Sequence, residues 1–314
     1  MNSNHHAPLG FGGTFLALLA AFLWAGTGVA NQFAVDEVPP LMVGALRFFM
    51  AAIFMLGWCR WEGAPLAITR EQWGPVWWMS VLLVAQIGLF NVGGKLSTAS
   101  HASLFVNTYI FWVAAGEHFW LRSIRLSPRQ WTGLFLAAAG VVLLLISTEQ
   151  PAKLAVSTGA PMDKPTLLGD VLLILSGLVL GVKVVYTKTA VRSIAPGTLI
   201  FWHDVFGGLM FFAISLLFEP QPKTMPGAHA WWALLYSGFV VSGFCFAANA
   251  WQLRRHGASQ ISVFSFLTPI FGVALGVMLR GDELSPWLLA SGVAVAIGIT
   301  MVNLKEESEA EAPE

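Results

Sequence analysis

The chain has 314 residues, of which 56% are hydrophobic and only 11% are charged, and its formal net charge is zero. A soluble domain carries about 25% charged residues, so this composition excludes an ordinary soluble protein. The zero net charge also argues against nucleic acid as a partner, because a nucleic-acid-binding surface needs an excess of lysine and arginine. We therefore expect an integral membrane protein.

Ten apolar stretches follow one another along the chain, each about as long as the 20 helical residues that cross a bilayer core of roughly 30 Å. Pro40, Pro196 and Pro286 stand at the starts of three stretches, where the missing amide proton of proline is tolerated in the first helical turn. Each stretch is therefore predicted to form one membrane-spanning helix. The predicted spans are 13–33, 40–59, 74–93, 99–121, 130–147, 166–187, 197–218, 230–252, 257–279 and 286–303.

The ten stretches form two similar sets of five, which a joint rich in Pro, Ser, Thr and Gly separates. The fourth span opens with ASHASLF at 99–105 and the ninth with ASQISVF at 258–264, and Leu-Ser-Pro follows each, at 126–128 and 284–286. Similar segments in the same order indicate an internal repeat. Because each set contains an odd number of spans, the two sets would insert with opposite orientations, as is common in secondary transporters.

The predicted architecture is an all-α membrane protein with ten transmembrane helices in two inverted five-helix repeats. Lys and Arg concentrate in alternate joints, and the side that holds more of them is predicted to be cytoplasmic. Both termini would then be cytoplasmic in a multi-pass protein of the bacterial inner membrane. The predicted regions are an N-terminal tail at 1–12, the first repeat at 13–147, an extracytoplasmic linker at 148–165, the second repeat at 166–304 and an acidic tail at 305–314.

Four short motifs occur in a fixed order within these spans. They are Leu23-Trp24-Ala25-Gly26, then Pro39-Pro40-Leu41 followed by Arg47, then Thr98-Ala99-Ser100-His101-Ala102-Ser103-Leu104, and finally Thr268-Pro269 followed by Gly281-Asp282-Glu283-Leu284-Ser285. With these motifs, the chain resembles the drug/metabolite transporter superfamily, specifically its ten-span EamA-type members, over about residues 13–304. It departs from the family pattern at 107–109, where the fourth span usually has a proline, and at 123–125, where Gly-Glu is usual.

The resemblance implies a secondary transporter that exports or exchanges a small organic metabolite by alternating access. It also implies a central cavity lined by spans 1, 3, 4, 6, 8 and 9. Amino acids and related amphipathic solutes are the usual substrates of bacterial members, so an amino acid or an aromatic amphipathic compound is the expected substrate. A drug or nucleobase-type exporter and a membrane-embedded binding or assembly protein without a transport cycle remain as alternatives.

Ionisable residues within the spans are the sharpest local signal, because a charge at the bilayer centre costs about 2.5–3.5 kcal/mol and is normally paired or faces water. Lys183 could pair with Asp204 or Glu117, line a cavity, or extend to the inner surface without a partner. Arg47 and Asp170 lie at similar outer depths, so they could form an outer gate or serve as structural anchors. The residues predicted to act in gating or ion coupling are Arg47, Glu117, Asp170, His203 and Asp204.

Uncharged polar groups and one tryptophan near mid-depth are candidates for substrate contact. A polar group in lipid needs a partner, which either a cavity or a neighbouring helix can provide. Trp24 lies away from the membrane interfaces where tryptophan is usual. The predicted substrate-binding residues are Trp24, Gln86, Asn107, Tyr109, Lys183, Ser242 and Ser265.

No cofactor and no enzymatic activity are predicted. The sequence lacks a phosphate-binding loop, a His-Glu-x-x-His motif and a Gly-x-Ser-x-Gly motif. The expected partners are a small-molecule solute and the lipid bilayer, and a homodimer is compatible with the sequence. Proton exchange, coupling to another ion and facilitated diffusion all remain open as modes of transport.

Overall fold

The computed structural model describes residues 11–120, 126–158, 165–221, 224–255 and 267–303, and every regular element in this part of the chain is helical. Within these described ranges, seven helices are long and apolar enough to cross a membrane, and two shorter apolar helices follow them. The prediction of an all-α, multi-pass membrane protein is therefore confirmed. The seven are Phe11–Val35, Pro40–Glu62, Trp73–Leu96, Pro128–Ser147, Leu167–Ala190, Pro196–Phe218 and Ala228–Gln252, and the shorter two are Leu267–Arg280 and Pro286–Val302.

Several predicted spans consist of more than one helical element, and two of these elements are π-helices. In chain order the elements are α1 (Phe11–Ala25), α2 (Thr27–Val35), α3 (Pro40–Glu62), α4 (Trp73–Leu96), α5 (Ala99–Val106), α6 (Tyr109–Ala115), π1 (Gly116–Trp120), α7 (Pro128–Thr158), α8 (Leu167–Ala190), α9 (Pro196–Phe218), α10 (Ala228–Leu235), π2 (Tyr236–Cys245), α11 (Phe246–Arg255), α12 (Leu267–Arg280) and α13 (Pro286–Asn303).

Helix α3 begins at Pro40, as predicted, and α9 begins at Pro196, one residue before the predicted start of the seventh span. Each start is capped by a carboxylate from the end of the other helix. Glu219, just past α9, accepts a hydrogen bond from the second amide of α3 at 2.9 Å, and Glu62, the last residue of α3, accepts one from the second amide of α9 at 3.0 Å. A carboxylate at a helix N-terminus is favourable because it faces the positive end of the helix dipole. The two helices therefore form an antiparallel pair with reciprocal caps.

The first half of the chain (α1–α7) packs against the second half (α8–α13) pair by pair. Helix α3 packs on α9, α4 on α8, α5 on α12, α7 on α13 and α2 on α10. In addition, α3 packs along π2. These contacts bring the middles of α3, α4, α8, α9 and π2 together.

Among the described residues, the first, fourth and eighth predicted spans are interrupted. Helix α1 gives way to α2 at Gly26, and the Tyr236 hydroxyl donates a hydrogen bond to the Leu23 carbonyl near this break. The fourth predicted span is interrupted at Asn107 and Thr108, between α5 and α6. The eighth passes into π2, a π-helix of 10 residues, and widened turns of this kind are frequent at functional sites.

The structure differs from the predicted linker at 148–165. Helix α7 runs for 31 residues over Pro128–Thr158, so it continues well beyond 147. The residues after 147 include Glu, Gln, Ala, Lys and Leu, which favour a helix, whereas the prediction gave more weight to the Pro, Ser and Thr among them. The predicted tail at 305–314 lies outside the described residues, as does most of the tail at 1–12.

Candidate functional site: a buried polar cluster between the two halves

Arg47 on α3 is the first member of a buried polar cluster where the two halves meet, and only 2% of it is exposed. Its Nε donates a hydrogen bond to Ser242 Oγ in π2 at 2.5 Å. Gly238, one turn earlier in π2, permits this close approach. A Cβ at Gly238 would lie 2.6 Å from the Met50 Cβ and 3.0 Å from the Arg47 carbonyl oxygen, both too close. The arginine thus ties a helix of the first half to a helix of the second.

Lys183 on α8 is the second member, with 6% of it exposed. Its Nζ donates to Gln86 Oε1 on α4 at 3.2 Å, and Gln86 Nε2 donates to Ser176 Oγ at 3.2 Å. The Ser176 hydroxyl in turn donates to the Gln86 carbonyl at 2.8 Å. Because an amide has one accepting and one donating end, these bonds fix the Gln86 oxygen toward the ammonium.

Asp204 on α9 is the third member and is fully buried. His203 Nδ1 lies 2.9 Å from Asp204 Oδ1, but the two groups are not oriented for a hydrogen bond, and Nδ1 also lies 3.3 Å from the Ile200 carbonyl oxygen. Neither carboxylate oxygen has a hydrogen-bond partner among the described residues. The charges of Arg47 and Lys183 both act on this carboxylate. Asp204 is therefore a buried acid within the field of both cations.

The direct ion pair between Lys183 and Asp204 that the sequence suggested is not formed between these two described residues. Lys183 lies seven residues before α8 ends and Asp204 eight residues after α9 begins, so their depths are similar, as predicted. However, the lysine is directed at Gln86 on a third helix. Depth follows from sequence position alone, whereas the partner depends on the rotation of each helix about its axis.

An aromatic wall adjoins the charged groups. Lys183 Nζ lies 5.3 Å from the centroid of the Phe246 ring, at the start of α11, which is within the range of a cation–π contact. The same ring lies 6.0 Å from the ring of Trp24 on α1. The predicted residues Trp24, Gln86, Lys183 and Ser242 are therefore brought to one region, together with Arg47, His203 and Asp204.

Asp170 lies elsewhere, in the first turn of α8. It accepts a hydrogen bond from Ser97 Oγ at 2.5 Å, and the Nδ1 atom of His101 lies 3.0 Å from its Oδ2 atom. Arg47 and Asp170, which are both described, do not contact each other, so the structure does not assemble the outer gate that was considered for this pair.

Two predicted residues of the fourth span have local roles instead. Asn107 Nδ2 donates to the Ser103 carbonyl at 2.6 Å, within its own span, and Tyr109 packs against the large apolar cluster around Phe105. Two further candidates, Ser265 and the side chain of Glu117, lie outside the described part of the chain. The structure therefore leaves both of these as sequence predictions.

Sequence analysis missed two members of the cluster, Ser176 and Phe246. Ser176 precedes Lys183 by seven residues, which places both on one face of α8, so its spacing could have identified it. Phe246 carries no comparable signal, because phenylalanine is common throughout the spans of this chain.

A second polar network joins the ends of three helices on the side that the sequence predicts to be extracytoplasmic. Arg280, at the end of α12, contacts Asp36 at 2.6 Å and donates to Gln32 Oε1 at 3.1 Å. Its guanidinium also lies 4.5 Å from the centroid of the Phe33 ring. Gln32 Nε2 in turn donates to the Ser97 carbonyl, past the end of α4, at 2.6 Å. This outer network joins α12 to α2 and to the end of α4.

A depression of about 360 Å³ opens on the same face. It is lined by residues 35–40 between α2 and α3, by Lys95, and by Glu219 and Pro220. None of these residues belongs to the buried cluster, so the depression is separate from it.

The chain belongs to the EamA-like transporter family, whose sequence model matches it twice, at residues 11–146 and 167–304. The resemblance inferred from the motifs is thereby confirmed. It is a multi-pass membrane protein of a family of transporters.

Several relatives cover nearly the whole chain. An uncharacterised transporter of Bacillus subtilis, YoaV, is 24% identical and aligns over 89% of this chain and 92% of its own length. A protein of Salmonella typhimurium, named a probable amino-acid metabolite efflux pump, is 24% identical over 91% of this chain and 92% of its own length. An uncharacterised inner membrane transporter of Escherichia coli, YedA, is 22% identical over 90% of this chain and 89% of its own length.

One protein of known crystal structure superposes on this chain with a TM-score of 0.67. The match covers 93% of this chain and 98% of that protein at 19% sequence identity. At this identity the likeness shows a shared fold only.

Proposed function

We propose that this protein is a secondary transporter that exports or exchanges a small organic metabolite by alternating access. The observation that carries the proposal is the composition of the buried polar cluster. Arg47 and Gln86 come from the first half of the chain, and Lys183, Asp204 and Ser242 from the second. Ionisable side chains in a membrane interior mark solute or ion pathways, and transporter sites lie where the two repeats meet.

We also propose ten membrane-spanning helices in two inverted five-helix repeats. An inverted repeat would exchange α3 with α9, α5 with α12 and α7 with α13, and each of these pairs is in contact. The same exchange would convert the third and sixth spans (α4 and α8) into the eighth and first spans. The third and sixth spans are in contact, and so are the eighth and first. Exchanging α3 with α9 would also convert the cap that Glu219 provides on α3 into the cap that Glu62 provides on α9. The two matches to one family model support this arrangement.

An amino acid or an aromatic amphipathic compound is the proposed solute. The rings of Phe246 and Trp24 offer an apolar surface beside the charged groups, and aromatic surfaces favour aromatic ligands. The name of the Salmonella relative supports an amino-acid metabolite. We place the protein in the bacterial inner membrane, with both termini in the cytoplasm, and the Escherichia coli relative supports this location.

Counterflow in proteoliposomes tests this function. Purified protein in liposomes preloaded with unlabelled phenylalanine should accumulate labelled phenylalanine above the level of protein-free liposomes. An imposed pH gradient should increase the accumulation only if transport is coupled to protons. Absence of solute-dependent flux across a panel of amino acids and aromatic acids would contradict the proposal.

A matched pair of variants on α4 links that flux to the cluster. Gln86→Met keeps the volume of the side chain but removes its bonds to Lys183 and Ser176, so it should reduce counterflow by at least about tenfold. Ser80→Ala alters only a hydroxyl that bonds to the Val76 carbonyl of its own helix, so it should leave the flux unchanged. Equal flux in both variants would place the pathway away from this cluster.

A further inference from the structure

The buried cluster contains more positive than negative charge. Arg47 and Lys183 are 2% and 6% exposed, and the acid on which their charges both act, Asp204, is fully buried. His203, beside that acid, adds no negative charge in any protonation state. With all three charged groups ionised, one positive charge remains without compensation from the residues that the structure describes. Such a charge is expensive inside a membrane unless an anion accompanies it.

Both cations also have unused donors. Arg47 bonds through Nε alone, so within the described residues its two terminal nitrogens donate no hydrogen bond. Lys183 donates one of its three protons, to Gln86, and faces the Phe246 ring. A guanidinium presents two parallel N–H groups that match the two oxygens of a carboxylate, and an ammonium adds a third donor. Ser242, which accepts the Arg47 bond, lies about one helical turn before Phe246, whose ring Lys183 faces, so the eighth span brings both cations to one region.

We propose that this region binds the carboxylate of an organic solute between Arg47 and Lys183, with the apolar part of the solute against Phe246 and Trp24. Asp204 supplies the negative charge nearest to the two cations when the site is empty and competes with the carboxylate when it is occupied. The assignment rests on the proposed transport function and specifies its substrate class as aromatic or apolar monocarboxylates.

Three probes with the same phenyl group and different charge test the assignment. Phenylacetate, phenylacetamide and phenethylamine are competed against radiolabelled phenylacetate on the purified full-length protein in detergent. Phenylacetate should compete at least about tenfold more strongly than phenylacetamide, because only the carboxylate gains charge-assisted bonds to both cations. Phenethylamine should compete least. Equal competition by the acid and the amide, or no binding of phenylacetate at millimolar concentration, would overturn the assignment.

Variants assign the preference to the two cations. Lys183→Met should reduce the acid-to-amide ratio to near one, whereas Lys183→Arg should restore most of it. Lys188→Met alters a half-buried lysine in the last turn of the same helix, so it is the matched control and should keep the wild-type ratio. Arg47→Gln should likewise reduce the acid-to-amide ratio to near one, and Arg47→Lys should restore most of it. An unchanged ratio in Lys183→Met would overturn the proposal whether or not the arginine variants fold.

Asp204→Asn gives a test of opposite sign. Removing the competing carboxylate should tighten phenylacetate binding severalfold, whereas a site for cationic solutes would lose affinity. Failure of this inference is distinguishable from failure of the transport function. Counterflow that does not discriminate phenylacetate from phenylacetamide overturns only the carboxylate assignment. Charge-selective binding with no flux of any solute overturns only the transport proposal.

Discussion

The Arg47–Ser242 bond is a single contact that stabilises the junction between the two halves. Ser242→Ala would leave a buried charged donor without its partner, which costs about 1–3 kcal/mol. We expect the apparent melting temperature in detergent to fall by several degrees at a fixed scan rate. Ser80→Ala is the control, because its hydroxyl bonds only within α4 and its loss should change little. Equal shifts for the two variants would mean that the Arg47 bond contributes nothing to stability.

At this residue scale, the sequence predicted which polar side chains lie within the spans better than it predicted their partners. Lys183, Asp204 and Arg47 were identified because a charge stands out in an apolar span. Their neighbours could not be predicted, because Gln86 and Ser176 meet Lys183 only after three helices have packed with defined rotations. Asp170 shows the same limit, since its partner His101 was visible as a polar residue at the same outer level but not as its neighbour.

At the scale of the elements, the two reciprocal caps of α3 and α9 should each stabilise the protein independently of the other. Glu62→Gln and Glu219→Gln each remove a carboxylate from a helix N-terminus, which is worth about 0.3–1 kcal/mol, or up to about 2 kcal/mol when partly buried. Each variant should lower the apparent melting temperature, and the double variant should show the sum, because the two caps lie at opposite ends of the pair. Glu71→Gln, an exposed joint residue, should have no effect. A double variant no worse than either single one would show that the caps do not act independently.

The π-helix π2 depends on close packing against α3. Gly238→Ala would place a methyl group 2.6 Å from the Met50 Cβ, so π2 has to move away from Arg47, at a cost of about 1–3 kcal/mol. We expect both a lower melting temperature and slower counterflow. Gly57→Ala on α3 has no atom within 4 Å and should be neutral or slightly stabilising. Normal flux in Gly238→Ala would show that this approach is not required for transport.

The element boundaries that could be predicted are those with a physical marker in the sequence. Pro40, Pro196 and Pro286 each begin a helix, as their fixed φ angle and missing donor require. The interruption at Asn107 and the π-helix over Tyr236–Cys245 carry no such marker, because both replace one set of backbone bonds by another within an apolar span. They depend on the neighbouring helices, which hydropathy does not describe.

At the scale of the whole molecule, the distribution of Lys and Arg predicts which joints face the cytoplasm. Met225, in the joint between α9 and α10, is 88% exposed and should be extracytoplasmic, whereas Glu71, between α3 and α4, should be cytoplasmic. An impermeant maleimide should label Met225→Cys in intact cells and Glu71→Cys only after permeabilisation. The native cysteines are both buried, so the parent protein gives the background. The reverse pattern would contradict the proposed orientation.

The outer network around Arg280 is the contact that alternating access would have to break. It joins α12 to α2 and α4 on one face, whereas the charged cluster lies deeper in the same bundle. Access from outside to that cluster therefore requires these outer ends to separate. A difference of one or two kcal/mol changes a two-state population by roughly 5–30-fold, and the loss of the Arg280 bonds is of this size.

Arg280→Gln should therefore favour the outward-open state. A cysteine at Ala34, which is fully buried on α2, reports this opening through its rate of labelling by the same impermeant maleimide. We expect labelling of Ala34→Cys to accelerate at least about fivefold when combined with Arg280→Gln. Lys95→Gln, which removes an exposed cation from the same face, should leave the rate unchanged. If Arg280 instead only stabilises the fold, its loss should lower the melting temperature without accelerating labelling. No outward-open state would then be available to be populated.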